Sequence, residues 1–353
     1  RAQDVFFNAY TDVDGQRVGP LCEVVNPEWK RKIIGDTFMR VTEEAVSEWG
    51  LDSDKVLLAQ GTLRPDLIES ASHLASANAQ TIKTHHNDTA LVRVLRDQGK
   101  IIEPLADYHK DEVRALGAGL GLAPSLVWRQ PFPGPGLAIR ILCGHEPCHA
   151  EDMDQVRQFL DQELQPKEGV VATILPFRSV GVQGDGRSYS HTVALSCASD
   201  TPPWEELFRL AKLIPKRLHG VNRVMFAFGG VITEQDVQYT PTTLNADTVA
   251  QLQAPDQLVN EILFKENLIK ALSQMPVILL PVHFGGEDHA GHRSICLRPF
   301  ITNDFMTGLA AKPGVEMPVN VLNEMVTKVL SCDGIDRCFY DLTSKPPGTT
   351  ECE

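Results

Sequence analysis

The sequence has 353 residues, with 33 Lys+Arg against 46 Asp+Glu and a formal net charge of −13 at pH 7. At roughly 150 residues per domain this length predicts two or three domains, and 42% hydrophobic with 22% charged residues excludes wholesale disorder. No apolar run approaches the ~20 residues of a membrane helix. The acidic balance disfavours a nucleic-acid or anionic-membrane surface, so any anionic ligand must be held by a few local cations.

Eight cysteines, at 22, 143, 148, 197, 296, 332, 338 and 352, form no C-x-x-C pair. Cys143 and Cys148 lie apart from other Cys or His pairs, so no structural metal is expected and the thiols read as reduced, packed and cytosolic. The chain opens at Arg1 with no basic-then-apolar leader; no signal peptide is expected, and a start at Arg points to sequence upstream.

In chain order, Asn26 is a good N-cap and Pro27 suits a first helical position. Trp29, Ile33, Ile34, Phe38, Val41, Ala45 and Trp49 then recur at helical spacing, which predicts a helix ending at Gly50. Lys55–Gln60 reads as a buried parallel-type strand closed by Gly61. A further helix is expected from Asp107 to about Gly121, with Val113, Leu116 and Leu120 on one face. This is the rhythm of an open α/β sheet.

Gln130–Gly136 is dense in Pro and Gly and marks a joint. Beyond it an internal repeat shows. Its first copy holds Ile174-Leu175-Pro176-Phe177, Arg187-Ser188, a helical stretch Trp204–Leu218, and Val221-Asn222-Arg223-Val224-Met225. Its second holds Ile278-Leu279-Leu280-Pro281, Arg293-Ser294, Val319–Leu330, and Ile335-Asp336-Arg337-Cys338-Phe339. Two related α+β subdomains are expected.

Four strings could carry chemistry, each with a bland reading beside it. Gly61-Thr62-Leu63-Arg64-Pro65-Asp66 follows a strand, where open α/β sheets bind ligands: Gly61 allows close approach and Arg64 could meet a phosphate, or the string is a solvated turn. Lys83-Thr84-His85-His86-Asn87 suits a polyphosphate better than zinc, because adjacent histidines on a strand face opposite ways; otherwise it is a polar loop. Gly184-Asp185-Gly186 either holds a carboxylate against a ligand or is a plain turn. The tail Lys345-Pro346-Pro347-Gly348-Thr349-Thr350-Glu351 presents a cation and several donors, or is a frayed end.

Together with Lys30–Gly35, Glu103–Leu105, Lys110–Arg114, Pro131–Arg140, Val182–Tyr189 and Ser273–Ile278, these strings resemble one family, GMP synthetase, in family order from about Pro27 onward. The resemblance implies the latter part of an ATP-pyrophosphatase domain over 1–128, a partial Rossmann-type, nucleotide-hydrolase-like α/β fold. Over 129–353 it implies an α+β XMP-binding and dimerisation domain with two subdomains, about 140–272 and 273–353. The implied reaction uses ATP and Mg²⁺ to adenylylate XMP, and ammonia from a glutaminase then displaces AMP to give GMP. By matching position, Arg31, Asp185, Gln274, Lys345 and Glu351 would bind XMP. Lys83 would meet phosphate from a lid over 83–110, Lys83 and Asp185 would be catalytic, and Gly61, Arg64 and Asp66 would lie at the ATP end. The family's glutaminase and its Ser-Gly-Gly-Val-Asp-Ser phosphate loop have no counterpart in this sequence. The resemblance therefore implies a C-terminal portion that is inactive alone, located in the cytosol, and a possible homodimer. The alternative is a catalytically degenerate paralogue that acts as a nucleotide-binding or interaction module. The family also usually ends Glu-Trp-Glu, whereas this chain ends Glu351-Cys352-Glu353.

Overall fold

The structure is a computed structural model. It describes residues 2–50, 55, 57–69, 96–130, 132–148, 154, 157–159, 162, 169–183, 186–302 and 307–353. They fall into two compact units, Arg1–Gly136 and Leu137–Glu353. Among the described residues no helix is long and apolar enough to cross a membrane.

Unit 1 begins with a short helix α1 (Gln3–Phe7) and a hairpin of β1 (Thr11–Val13) and β2 (Gln16–Val18). Asp14 and Gly15 link the strands with φ of 51° and 82°, the doubly left-handed turn that suits the right-handed strand twist and that Asp-Gly adopts readily. Helix α2 runs Pro27–Glu48, and the Asn26 side chain accepts from the amides of Glu28 (3.0 Å) and Trp29 (3.2 Å). Two orphan donors of the first turn are thereby satisfied. Strands β3 (Leu58–Ala59) and β4 (Ile101–Ile102) pair in parallel; helices α3 (Arg64–Glu69), α4 (Lys110–Gly119) and α5 (Pro124–Val127) follow among the described residues of the unit.

Three expectations need correction. The strand near Leu58 is not buried: Leu58 is half-buried and Ala59 exposed, because the described ladder gives β3 β4 alone as a neighbour. Helix α4 starts at Lys110 rather than Asp107, since the Tyr108 amide closes a turn onto the Leu105 carbonyl (3.0 Å) and the Glu112 carboxylate accepts from the His109 amide (2.7 Å). Trp49 and Leu120, assigned by spacing to buried faces, are each 74% exposed, with no described element over them.

Unit 2 is built on a six-stranded sheet of order β5-β6-β7-β14-β11-β9. Strand β5 (Val170–Gln183) is antiparallel to β6 (Gly186–Cys197), and helix α6 (Trp204–Arg217) carries the chain over to β7 (Val221–Ala227), parallel to β6. After β8 (Gln238–Tyr239) and α7 (Ala246–Lys265) the pattern recurs. Strand β9 (Val277–Leu280) is antiparallel to β11 (Arg293–Leu297), and helix α8 (Val319–Leu330) leads to β14 (Ile335–Asp341), parallel to β11. The short pairs β10 (Val282–His283) with β8, and β12 (Phe300–Ile301) with β13 (Leu309–Ala310), lie outside the main sheet. Parallel neighbours need a crossover, and both copies use one helix for it.

The two copies meet where β7 runs antiparallel to β14, with Phe339 opposite Ala227, Tyr340 opposite Phe226 and Asp341 opposite Met225. Matching Arg223 to Arg337 maps this register onto itself, so a local twofold passes through the Phe226/Tyr340 pair. Trp204 covers that pair, its ring centroid 5.1 Å from Phe226 and 5.9 Å from Tyr340. Such aromatic contacts are each worth about 0.5–1.5 kcal/mol beyond burial. The same matching pairs the irregularity between His191 and Thr192 with that between Arg293 and Ser294. The partner of Arg293-Ser294 is therefore His191-Thr192, not Arg187-Ser188. The Arg-Ser correspondence read from sequence is four residues out of register.

Both sheet faces are covered. Helix α6 buries Leu207, Leu210, Ala211 and Ile214, and α8 buries Val321, Leu322, Met325, Val326 and Val329. A second cluster joins Leu142, Leu175, Met225, Ile278, Leu280, Cys296, Phe339 and Cys352. Double burial explains why β7, β9 and β11 are apolar-rich runs rather than alternating ones.

Backbone also packs against ring at Gly308, where a Cβ would stand 2.1 Å from Cζ of Phe300. Replacing Gly308 by Ala is expected to destabilise unit 2 by about 1–3 kcal/mol, the usual cost of overpacking, read as a lower urea midpoint at unchanged slope. An unchanged midpoint would mean that Phe300 leaves its seat freely.

Candidate functional site

In unit 1, Arg31 stands one turn into α2, its Nη1 3.1 Å from the Glu28 carboxylate. The loop after β3 is fixed through Thr62, which is fully buried and donates to Glu103 Oε1 at 2.7 Å. Glu103 in turn takes a two-point contact from Arg96, 2.8 Å from Nε and 2.9 Å from Nη2. Paired planar groups of this kind set orientation as well as energy. Gly61 is exposed, and among the described residues beyond its chain neighbours nothing lies within 4 Å of where its Cβ would be. Asp66 accepts from the Leu63 amide (3.0 Å) and so steadies the start of α3, while Arg64 is exposed. Nearby Lys110 is shifted down by burial and by Arg114, with Asp66 opposing.

Lys83 lies outside the described residues, as does Asp185, which falls between the paired ends Gln183 and Gly186 of β5 and β6.

In unit 2, the tail is docked, not frayed. Lys345 and Gly308 exchange backbone hydrogen bonds (2.8 and 3.0 Å), the Val182 amide donates to the Pro347 carbonyl (2.7 Å) and the Val180 amide to that of Cys352 (2.9 Å). The Glu353 carboxylate accepts from the Cys143 amide at 2.9 Å. Gln274, 7% exposed, forms a backbone bridge to Phe300, whose ring sits under Gly308. The structure thus brings Gln274 and Lys345 together through Phe300 and Gly308. Glu351 is tied to the same tail by its carbonyl, which accepts from Arg223 (3.0 Å), and its charge lies near Arg140. Cys352, where the family carries Trp, is fully buried in the core cluster, and burial pushes its thiol up to about 11. Docking runs through its backbone carbonyl and does not need an indole.

Sequence reasoning missed what lies beneath the tail. Asp341, Arg223 and Arg298 are all fully buried; one carboxylate oxygen of Asp341 is 2.5 Å from Arg223 Nη1 and 2.7 Å from Arg298 Nη1. Arg223 also donates to the Val180 carbonyl (2.9 Å) and, more weakly, to Thr349 (3.4 Å), and Arg298 to the Thr343 carbonyl (3.0 Å). Burial alone would raise the Asp341 carboxyl, but Arg298 and Arg223 outweigh it and hold it below the usual range. Burial pushes the Arg298 guanidinium down, and its Nε and Nη2 have no hydrogen-bond partner among the described residues. Two cations share one carboxylate, so the cluster carries net positive charge. Its reach to the Gly348 backbone is close: Arg298 Nη2 stands 3.4 Å from where a Gly348 Cβ would be. Three residues from three distant strings give no periodic signal; only the Arg at the start of each repeat's last strand hinted at it.

This docked, cation-backed tail is the setting for the family match. Residues 261–352 match the model described as GMP synthase C terminal domain, and this segment of the chain is such a domain. Over 99% of its length it is 48% identical to a GMP synthase (glutamine-hydrolyzing) of Dictyostelium discoideum, covering 54% of that protein. It is 47% identical over 94% of its length to a Caenorhabditis elegans protein named "Probable GMP synthase (glutamine-hydrolyzing)", covering 53% of it. A Leptospira interrogans protein of the same name is 39% identical over 93% of the chain. The chain spans about half the length of the curated relatives it matches.

Replacing Asp341 by Asn leaves two buried guanidiniums without their counter-charge and is expected to cost about 3–5 kcal/mol at neutral pH. Because the native carboxyl is depressed, that stability is present above the unfolded value near 3.9 and is lost as pH falls through the native one. Urea midpoints of wild type and variant should therefore differ by a constant amount above about pH 4 and converge below it. Equal midpoints at pH 7 would show that carbonyls alone satisfy the arginines.

Proposed function

We propose that this chain is the C-terminal half of an enzyme that aminates XMP to GMP in an ATP-dependent reaction, and that unit 2 holds the XMP end. Supporting this is one observation above the rest: the tail from Lys345 onward folds back into unit 2, where Lys345 pairs through its backbone with Gly308, which packs against the Phe300 that bridges to Gln274. In the reaction the xanthine oxygen attacks the α-phosphorus of Mg-ATP, pyrophosphate leaves, and ammonia then displaces AMP from the purine. Phosphoryl chemistry of this type depends on cations placed where charge develops.

Lys345 and Arg31 are the phosphate partners in this reading, and Asp185, Gln274 and Glu351 supply hydrogen bonds to purine or ribose. Lys83, with Gly61, Arg64 and Asp66, serves the ATP end, and closure of a lid over 83–110 keeps water from the adenylyl intermediate. Residues 1–128 would be the later part of the ATP-pyrophosphatase domain and 129–353 the XMP domain, with subdomains about 140–272 and 273–353. Ammonia would come from a glutaminase domain of the parent enzyme, which would work in the cytosol and could pair as a homodimer.

Calorimetric titration of XMP into the purified chain, with and without Mg-ATP, tests the assignment. Saturable binding is expected in wild type, and Lys345→Ala should weaken it at least about tenfold, the loss of one charge-assisted contact of roughly 1.5–3 kcal/mol, at an unchanged urea midpoint. Equal affinity in the variant would remove Lys345 from the site. No binding to folded wild type would favour a relic that keeps the fold without the ligand.

A further inference from the structure

The second copy of the repeat carries a cluster that the XMP reading does not use. Among the described residues, His289, His292 and Asp336 gather three ligand atoms within 4.8 Å of one another. The Nδ1 atoms of His289 and His292 lie 2.8 and 2.7 Å from the same oxygen of Asp336, and the two rings are 4.7 Å apart. The other carboxylate oxygen is fixed by the Phe284 amide at 2.8 Å. The Asp336 side chain is 4% exposed, although the residue as a whole is half-buried, whereas the side chains of His289 and His292 are 43% and 34% exposed. One rigid anionic ligand at the base and two imidazoles at the rim make a cup open to solvent.

Three features of the backbone build it. Asp336 is the extra residue at the β11–β14 irregularity, where Arg293 pairs with Ile335 but Ser294 with Arg337. A bulge of this kind re-aims one side chain out of the ladder. Gly285, with φ of 101°, lies so close to His289 that a Cβ there would stand 2.9 Å from Nδ1. Gly291, with φ of 91°, turns the chain so that His289 and His292 reach one carboxylate.

The first copy supplies an internal control. The residue equivalent to Asp336 is Asn222, at the matching irregularity. Its amide is satisfied within the sheet: it donates to the Ser179 carbonyl (2.8 Å) and accepts from the Ser179 hydroxyl (2.8 Å). A neutral amide therefore serves the bulge structurally. The second copy has instead a carboxylate with two imidazoles facing it. Burial would raise that carboxyl, and the Phe284 amide and both histidines reverse the effect, keeping it anionic. Arg337 donates to the Phe228 carbonyl (2.8 Å) and lies over the Phe284 ring, close enough for Asp336 to act on its charge. His283, on β10 beside the cluster, is engaged with Thr240 Oγ1 at 2.7 Å.

We propose that His289, His292 and Asp336 form a solvent-facing site for one divalent transition-metal ion of the zinc class, with water completing the shell. Two imidazole nitrogens and one carboxylate oxygen suit zinc, cobalt or nickel rather than magnesium or calcium. Bonds of ~2.0–2.1 Å at tetrahedral angles separate ligand atoms by ~3.3 Å, so binding replaces the two hydrogen bonds and spreads the exposed rings slightly. The bound ion ties the turn around Gly285–His292 to β14.

The experiment uses the tag-free full chain, stripped with a chelator, titrated with Zn²⁺ by calorimetry and with Co²⁺ by visible absorption. One equivalent is expected to bind, with a cobalt spectrum free of sulfur charge transfer and a urea midpoint raised by zinc. His289→Ala, His292→Ala and Asp336→Asn should each weaken binding about tenfold or more and abolish the zinc-dependent rise in midpoint. The two histidines are partly exposed, so their variants keep the fold even if Asp336→Asn does not. Absence of saturable binding, unchanged affinity in the histidine variants, or a sulfur charge-transfer band from the free cysteines would each overturn the proposal.

Discussion

Unit 2 turns on one carboxylate. Asp341 ends β14, the strand that joins the two copies of the repeat, and it pairs with both Arg223 of the first copy and Arg298 of the second. A buried ion pair gains little over an apolar contact of equal size, yet removing one member leaves a charge stranded in low dielectric. The cluster therefore acts less as a source of stability than as a constraint on arrangement. Only one register of β7 against β14 places Asp341 between both guanidiniums, and only a docked tail gives Arg223 its Thr349 and Glu351 carbonyl partners.

From that constraint the candidate site follows. The tail is hung on Arg223 and on the edge of β5, and Lys345 is set by its exchange with Gly308. Gly308 can approach the Phe300 ring because it carries no Cβ, and Phe300 is in turn bridged to Gln274. Each contact is short-range and backbone-led, so substitution of the penultimate indole by Cys352 leaves the docking intact.

Much of unit 2 was legible in the sequence, and for a physical reason. Doubly covered strands must be apolar throughout, so Val277–Leu280 and the centre of Ile335–Asp341 stand out, and Val319–Leu330 forms the predicted helix to the residue. The repeat was visible as well, but its register was not. Arg187-Ser188 mimics Arg293-Ser294 in letters, whereas pairing is decided by bulges that composition does not record. The long-range charge clusters were hidden too: Arg223 and Asp341 are 118 residues apart, and His292 and Asp336 are 44 apart. In unit 1 the cap at Asn26 was readable because capping is local, but the exposure of Trp49 and Leu120 was not, because burial depends on partners that a single helix does not name.

The docked tail also has a consequence for how the molecule comes into being. The Cys143 amide meets the Glu353 carboxylate across 210 residues, and Thr349 reaches the Val180 carbonyl across 169. Contacts of such sequence separation are made late, because loop closure must precede their reward. On the ribosome, β5, β6 and β7 emerge with one flank of the first copy unsealed and Arg223 still without its counter-ion. Until residues 341–353 are in place, Arg223 lacks both the Asp341 carboxylate and the Glu351 carbonyl that hold it in the finished fold.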